Sequence, residues 1–468
     1  MRIKLGRPLL IRQISEYLGC RMRNGGENAC LFAVSHLTTD SREVLPGDLF
    51  VALKTEKDDG HRYLGEAIRN GASAIIAASD AAHEVPQDTC FFSVADTWDA
   101  LAQFAARFSG DIPHKTIAVT GSVGKTTTRH LLASVLGEKF KIHESSGNYN
   151  NLLGTCLTLL SMPGDTDLLI AECGMDAPGQ ISRMSRILKP DDSIITGIGI
   201  SHLEKLKTVE AICRAKLEIL DGMRGGSLFC PAAEPLLLRL SPIPVHTYSA
   251  MDTGAEYHAE NVRETPDGFS FDLRTRDRTI AGLSAPLISQ RLLAGAVLAA
   301  SIGYLLGETE EEVRRGLRRY RPLPLRQNIQ RFGEFFVLLD CYNACPDSMK
   351  AAGEAALHLV RMTGGKIILL LGDMSELGDN SDYLHREVGA YFGSIARDLF
   401  CIGRNAHLYA SGVTGDCRVH TYLPDTDPEQ VVNDLFPVIG RNDVLLIKGS
   451  RSAAMETYIP CLKEKLGY

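Results

Sequence analysis

Thr120-Gly121-Ser122-Val123-Gly124-Lys125-Thr126-Thr127 decides how the rest of this chain is read. The apolar run IAVT (117–120) ahead of it predicts a strand, and TTTRHLLASVL (126–136) behind it predicts a helix. A glycine-rich turn between strand and helix lets backbone N–H groups close around phosphate oxygens, with the helix N-terminus adding positive potential. The residues from Thr120 to Thr127 together form that cradle, Lys125 supplies a mobile charge, and Thr126 places a hydroxyl on Mg²⁺. Val119 stands where the longer form of this motif has its first glycine, so only the short TGxxGKT form is met.

Working outward, DLLIAE (167–172) and SIIT (193–196) are further apolar strands that end in polar loops. This pattern predicts a mostly parallel sheet with ligands at the carboxyl ends of its strands. The segment 228–280 is strand-rich, and helices follow through LLAGAVLAASIGYLLG (292–307) and EEEVRRGLRRY (310–320). After Arg321-Pro322-Leu323-Pro324 the alternation restarts with FFVLLD, KIILLLGDM, DLFCIG and DVLLIKGS. Ahead of the turn, the residues to Pro113 mix short strands and helices. The expected fold class is therefore α/β with three domains. These are a smaller mixed α/β domain (1–113), a central P-loop parallel-sheet domain of ATPase type (114–322), and a C-terminal Rossmann-like doubly wound domain (323–468).

Composition agrees with three domains, since 468 residues at roughly 150 per domain give about that number. With 44% hydrophobic and 23% charged residues the chain can bury large cores without disulfides or metal. A net charge of -7 argues against a nucleic-acid partner. No run approaches the length and apolarity of a membrane span, and the N-terminus lacks the pattern of a signal peptide. The 12 cysteines are dispersed without a CxxC pair, which predicts reduced thiols in a cytoplasmic protein.

The motifs then accumulate. After the phosphate turn come Gly147-Asn148-Tyr149-Asn150-Asn151-Leu152-Leu153-Gly154, Ala171-Glu172-Cys173-Gly174-Met175, Ser201-His202-Leu203-Glu204 and Ala215-Lys216-Leu217-Glu218. The C-terminal third adds Asp340-Cys341-Tyr342-Asn343-Ala344-Cys345-Pro346-Asp347-Ser348-Met349-Lys350, then Leu371-Gly372-Asp373-Met374-Ser375-Glu376-Leu377-Gly378 and Lys448-Gly449-Ser450-Arg451. The first domain contributes Thr39-Asp40-Ser41-Arg42, Pro46-Gly47-Asp48-Leu49-Phe50 and Asp59-Gly60-His61. In this order and over all three segments, the chain resembles the Mur ligases.

That resemblance implies an ATP-dependent amide ligase of peptidoglycan precursor synthesis, joining D-Ala-D-Ala to a UDP-N-acetylmuramoyl tripeptide through an acyl phosphate. It implies a monomer, two Mg²⁺ ions, and Lys125, Glu172, His202 and Lys216 as catalytic residues. Thr126 and Glu172 would sit on one metal, with His202 and Lys216 serving the second. Lys216 would be carbamylated, although alone a Lys in TVEAICRAKLEIL reads as a solvated surface residue. Arg326 and Asp340 would contact nucleotide. Asn148, Asn150, Asn151, Tyr342, Asn343, Asp347 and Ser348 would face the peptide substrates, and Ser41 and Arg42 the UDP group. The run Ser289-Gln290-Arg291-Leu292-Leu293-Ala294-Gly295 departs from the family's adenine-side pattern, leaving no amide expected at the base. Two other readings stay open: a Mur-type or folylpolyglutamate-type ligase adding a single amino acid, and a nucleotide-binding pseudoenzyme.

Overall fold

Val, Ile and Leu runs without polar alternation become the inner strands of three sheets, because a strand covered by helices on both faces has no solvent side. The computed structural model describes residues 1–23, 32–79, 85–86, 89–199, 206–265 and 268–467. Among these, the N-terminal sheet has five strands in the order Arg2–Leu10, Ala33–Thr38, Leu49–Val51, Ala74–Ala78 and Cys90–Val94. Its first pair is antiparallel and the remainder parallel. The helix Thr97–Gly110 leads out of it, started by Asp96, whose carboxylate accepts the Asp99 N–H at 2.8 Å.

The central sheet has nine strands. From one edge run Ile142–Glu144, Leu168–Glu172, Lys115–Thr120, Asp192–Ile195, Leu228–Pro231, Val245–Ser249 and Tyr257–Thr265, all parallel. Gly268–Arg274 and Thr279–Ala285 then close it as antiparallel strands. The strand-rich segment 228–280 is thus the far half of the same sheet. The third sheet runs Asn328–Phe332, Phe335–Leu339, Val444–Lys448, Ile367–Gly372, Asp398–Ile402 and Arg418–Tyr422, antiparallel only in its first pair.

Period-2 alternation sends the two faces of the central sheet into different cores. Ile117, Val119, Leu168, Ile170 and Ile194 join a cluster that continues into Met349, Ala352 and Leu371 of the C-terminal third. Ala118, Leu169, Ala171 and Ile195 join another that continues into Phe92, Leu101 and Phe104 of the N-terminal segment. Each fully buried Leu or Ile contributes about 1.5–3 kcal/mol relative to exposure. The central strands are thereby fixed from both sides, and their carboxyl ends open toward the C-terminal sheet. No helix among the described residues is long and apolar enough to cross a membrane.

Candidate active site

The phosphate turn is rigid before any ligand arrives. Thr120 Oγ1 donates to the Cys173 carbonyl at 2.7 Å, tying the end of one strand to the neighbouring one. Gly121 sits at φ +147°, and a Cβ there would stand 2.0 Å from Thr196 Oγ1, so no side chain fits. Thr196 Oγ1 donates to Val123 O at 2.6 Å, and Ser122 N–H donates to Gly197 O at 2.9 Å. Ser122 Oγ donates to Gly199 O at 3.0 Å and accepts its N–H at 2.9 Å. The helix Lys125–Leu136 starts at Gly124, at φ +90°, with no side chain capping its first amides. Those N–H groups remain available to an anion. Lys125 Nζ donates to Gly121 O at 2.7 Å. Desolvation in the cleft pulls its pKa down, against the opposing pull of Glu172.

Glu172 ends its strand only 3% exposed, so it is not a solvated strand end. Its Oε1 accepts from Asn150 Nδ2 at 3.1 Å. Its Oε2 is buried without a hydrogen bond, and Arg129 Nε approaches to 3.6 Å. Thr126, buried, lines the same cleft. An orphaned carboxylate oxygen beside a hydroxyl is the oxygen donor set that a hard divalent cation such as Mg²⁺ prefers, so these residues fit the metal. Lys216 lies in the helix Val209–Leu217 and is 2% exposed, not solvated. Burial, then repulsion from Lys125, holds its pKa well below the usual lysine value. His202 lies outside the described residues, as does the rest of its motif.

The C-terminal sheet supplies the facing wall. Arg326 stacks its guanidinium over the Tyr342 ring at 4.1 Å. Asp340 accepts Lys448 Nζ on Oδ2 at 2.7 Å and Gln327 N–H on Oδ1 at 3.2 Å. Lys448 also donates to the carbonyls of Asp340 and Asn343, both at 3.1 Å. Ser348 exchanges hydrogen bonds with the Cys345 backbone at 2.9 Å, capping the helix Pro346–Thr363. Thus Arg326, Asp340, Tyr342, Asn343 and Ser348 meet the phosphate turn, Asn150 and Glu172 in one cleft. Asp347 faces a second chamber on the other side of the turn, together with Gln290 and Arg291. Gln290 brings an amide to that chamber and Gln327 another to the main cleft.

Other predicted residues lie elsewhere. Asn151 Oδ1 accepts the Gly154 N–H at 2.8 Å and caps the helix Leu152–Leu160. Asn148 is exposed, its carbonyl accepting the Asn150 N–H at 2.7 Å. Ser41 and Arg42 line a separate pocket with Tyr63, Trp98 and, from the central domain, Leu153. There Arg42 forks onto Asp40 at 2.6 and 2.8 Å, which pulls the Asp40 pKa down to about 2. Ser41 Oγ donates to Glu66 at 2.5 Å.

Two charged residues of the site receive no role in the sequence analysis, although Lys448 stands in one of its motifs. Lys448 ends the apolar strand VLLIK, where a charge at a sheet's carboxyl edge is itself a signal. Arg129 shares a helix stripe with Leu132 and Leu136, a spacing that points it inward.

Known proteins share this arrangement. Residues 33–109 match the catalytic domain of the Mur ligase family, 119–303 the Mur ligase middle domain, and 326–451 the Mur ligase glutamate ligase domain. A UDP-N-acetylmuramoyl-tripeptide–D-alanyl-D-alanine ligase of Bacillus subtilis is 32% identical over 431 residues, covering 92% of this chain and 93% of that relative. A crystal structure of MurF from Acinetobacter baumannii superposes with a TM-score of 0.85 at 26% identity, over 99% of this chain and 100% of that one. The MurF ligase of Thermotoga maritima in complex with ADP gives a TM-score of 0.80 at 26% identity, over 92% and 97%. Matched in all three segments and along almost its whole length, this chain belongs to the Mur ligase family and is an ATP-dependent amide ligase.

Proposed function

We propose that the chain joins D-Ala-D-Ala to a UDP-N-acetylmuramoyl tripeptide, using ATP and releasing ADP and phosphate, in peptidoglycan precursor synthesis. The observation that carries this reading is the single cleft in which the uncapped turn, Lys125 and Glu172 face Arg326, Asp340 and Lys448. Residues 1–113 hold the UDP group at the Ser41–Arg42 pocket, 114–322 hold ATP, and 323–468 bring the dipeptide. The protein works as a cytoplasmic monomer.

In the first step a carboxylate oxygen of the tripeptide attacks the γ-phosphorus, and the bond to the β–γ bridging oxygen breaks. Three anionic groups meet there, so the preorganised N–H groups of the turn and the Lys125 ammonium stabilise charge that develops as ADP leaves. Arg326 and Asp340 position the nucleotide from the facing wall. Thr126 and Glu172 would hold Mg²⁺, which supplies further charge neutralisation at the phosphates when bound. The D-Ala-D-Ala amine then attacks the acyl carbon, the carbon–oxygen bond to phosphate breaks, and the amine's proton passes to solvent. Lys216, whose pKa burial lowers, would attack CO₂ through Nζ and lose a proton to solvent, and the resulting carbamate would help hold a second metal together with His202.

A coupled ADP-release assay across acceptors and amines tests the reading. Turnover with UDP-N-acetylmuramoyl tripeptide and D-Ala-D-Ala is expected. Turnover with a single amino acid only would move the chain to another ligase specificity, and ATP binding without phosphate release would make it a pseudoenzyme.

A further inference from the structure

Arg129 has no part in the chemistry above, yet it is a deeply buried cation beside it. Its side chain is 4% exposed and stands opposite Glu172 at 3.6 Å, itself 3% exposed. The guanidinium is held from behind. Nη1 donates to Glu144 Oε2 at 2.7 Å and to the Ser145 carbonyl. Ser145 Oγ in turn accepts the Glu172 N–H at 3.1 Å, so the Arg129 guanidinium and the Glu172 backbone are both tied to Ser145. Anchored this way, Arg129 cannot close the last half-ångström onto Glu172. Both Arg129 Nε and Glu172 Oε2 are left buried without a hydrogen bond. A buried carboxylate ordinarily takes every donor within reach. Here a cation is close enough to balance the charge but too far to occupy the oxygen.

We propose that Arg129 is a resident counter-charge for Glu172, balancing the carboxylate in the metal-free protein while leaving the buried Oε2 without a hydrogen bond, its lone pairs kept for the metal. It is a positioning residue, and the inference rests on the reading of Glu172 as a metal ligand. When Mg²⁺ binds, Arg129 becomes a repelling neighbour, so it weakens the metal's hold and eases its departure with product. A purely structural arginine predicts the opposite: its loss would loosen the site and weaken metal binding.

The test is a Mn²⁺ titration followed by electron paramagnetic resonance, with a non-hydrolysable ATP analogue present, on the full-length protein. Arg129→Met keeps the bulk and removes the charge, and should bind Mn²⁺ at least about tenfold more tightly, because a like charge near a dication has gone. Its Tm without metal should fall and be restored by Mn²⁺, since a ligand that binds only the native state stabilises it. Arg129→Lys keeps the charge and should stay within about threefold of the parent affinity. Equal or weaker Mn²⁺ binding by Arg129→Met would overturn the proposal. If that variant does not fold, Glu172→Gln/Arg129→Met decides. Recovery of folding in the pair confirms that the single variant lost charge balance, because Glu144 is 30% exposed and can be solvated alone; failure of the pair to fold overturns the proposal. Absence of Mn²⁺ binding by the parent protein would instead remove the metal reading of Glu172 itself.

Discussion

The cleft at the phosphate turn and the pocket around Arg42 handle charge in opposite ways. In the N-terminal pocket Arg42 is saturated by Asp40, and Ser41 by Glu66. Arg42 is 79% exposed there, so water screens what remains. In the cleft, Glu172 Oε2 has no hydrogen bond, and Lys216, near enough to feel the charge of Lys125, is 2% exposed with its pKa held down by burial. Buried polar groups are normally satisfied, and leaving them otherwise costs stability. In these two places the charge left without a hydrogen bond stands where the proposed reaction is served, and the paired surface charge stands at the proposed substrate pocket.

The contrast can be broken most sharply at Lys125. Lys125→Ala should lower the phosphate-release rate by about 10²–10³-fold, the scale of losing one preorganised charge-stabilising group, with the UDP substrate's affinity unchanged. Equal loss of UDP-substrate binding would mean that the two regions are not separate. Lys216→Met should lower kcat by about 10²-fold yet raise stability by about 0.5–2 kcal/mol at neutral pH, since it removes a cost kept for function. The pH dependence has a definite sign. The unfolded chain binds a proton at Lys216 up to about pH 10.4, and the folded one releases it lower. In CO₂-depleted buffer, parent stability should therefore rise with pH between those limits, and thermal melts of Lys216→Met should show a flatter rise. Arg42→Ala should raise KM for the UDP substrate by about three- to tenfold with kcat unchanged, as a surface contact does, and steady-state kinetics will show whether kcat moves instead. Asn151→Ala should cost about 1 kcal/mol in urea unfolding by removing a helix cap; a change in substrate KM without that cost would return Asn151 to the site.

Much of this was legible in order along the chain, because short-range physics writes it there. The phosphate turn needs glycines, a strand before and a helix after, and all are local. Glu172 and Asp340 could be placed at sheet edges because each ends an apolar run. Burial of charge could not be read that way. Lys216 follows Ile212 and Cys213 along its helix, but a lysine's long stem lets it reach water from most positions, so the sequence pattern favours exposure. Asn151 is ambiguous for another reason. An asparagine ahead of an apolar run suits both a substrate contact and a helix cap, and its Oδ1 accepts the Gly154 N–H at 2.8 Å. The extension of the central sheet by antiparallel strands was likewise beyond local reading, since strand order depends on contacts distant in sequence.

The division of the central sheet's faces between two cores bears on how the chain can be dissected. Freeing the segment after the first linker would uncover the helix Leu152–Leu160, against which the helix Thr97–Gly110 packs. Removing the last third would uncover Phe269 on the other side, where the His358 ring stacks at 5.1 Å. An excised middle fragment would therefore be adhesive on both sides, and limited proteolysis at the linkers should yield nicked but associated pieces rather than a free nucleotide-binding unit.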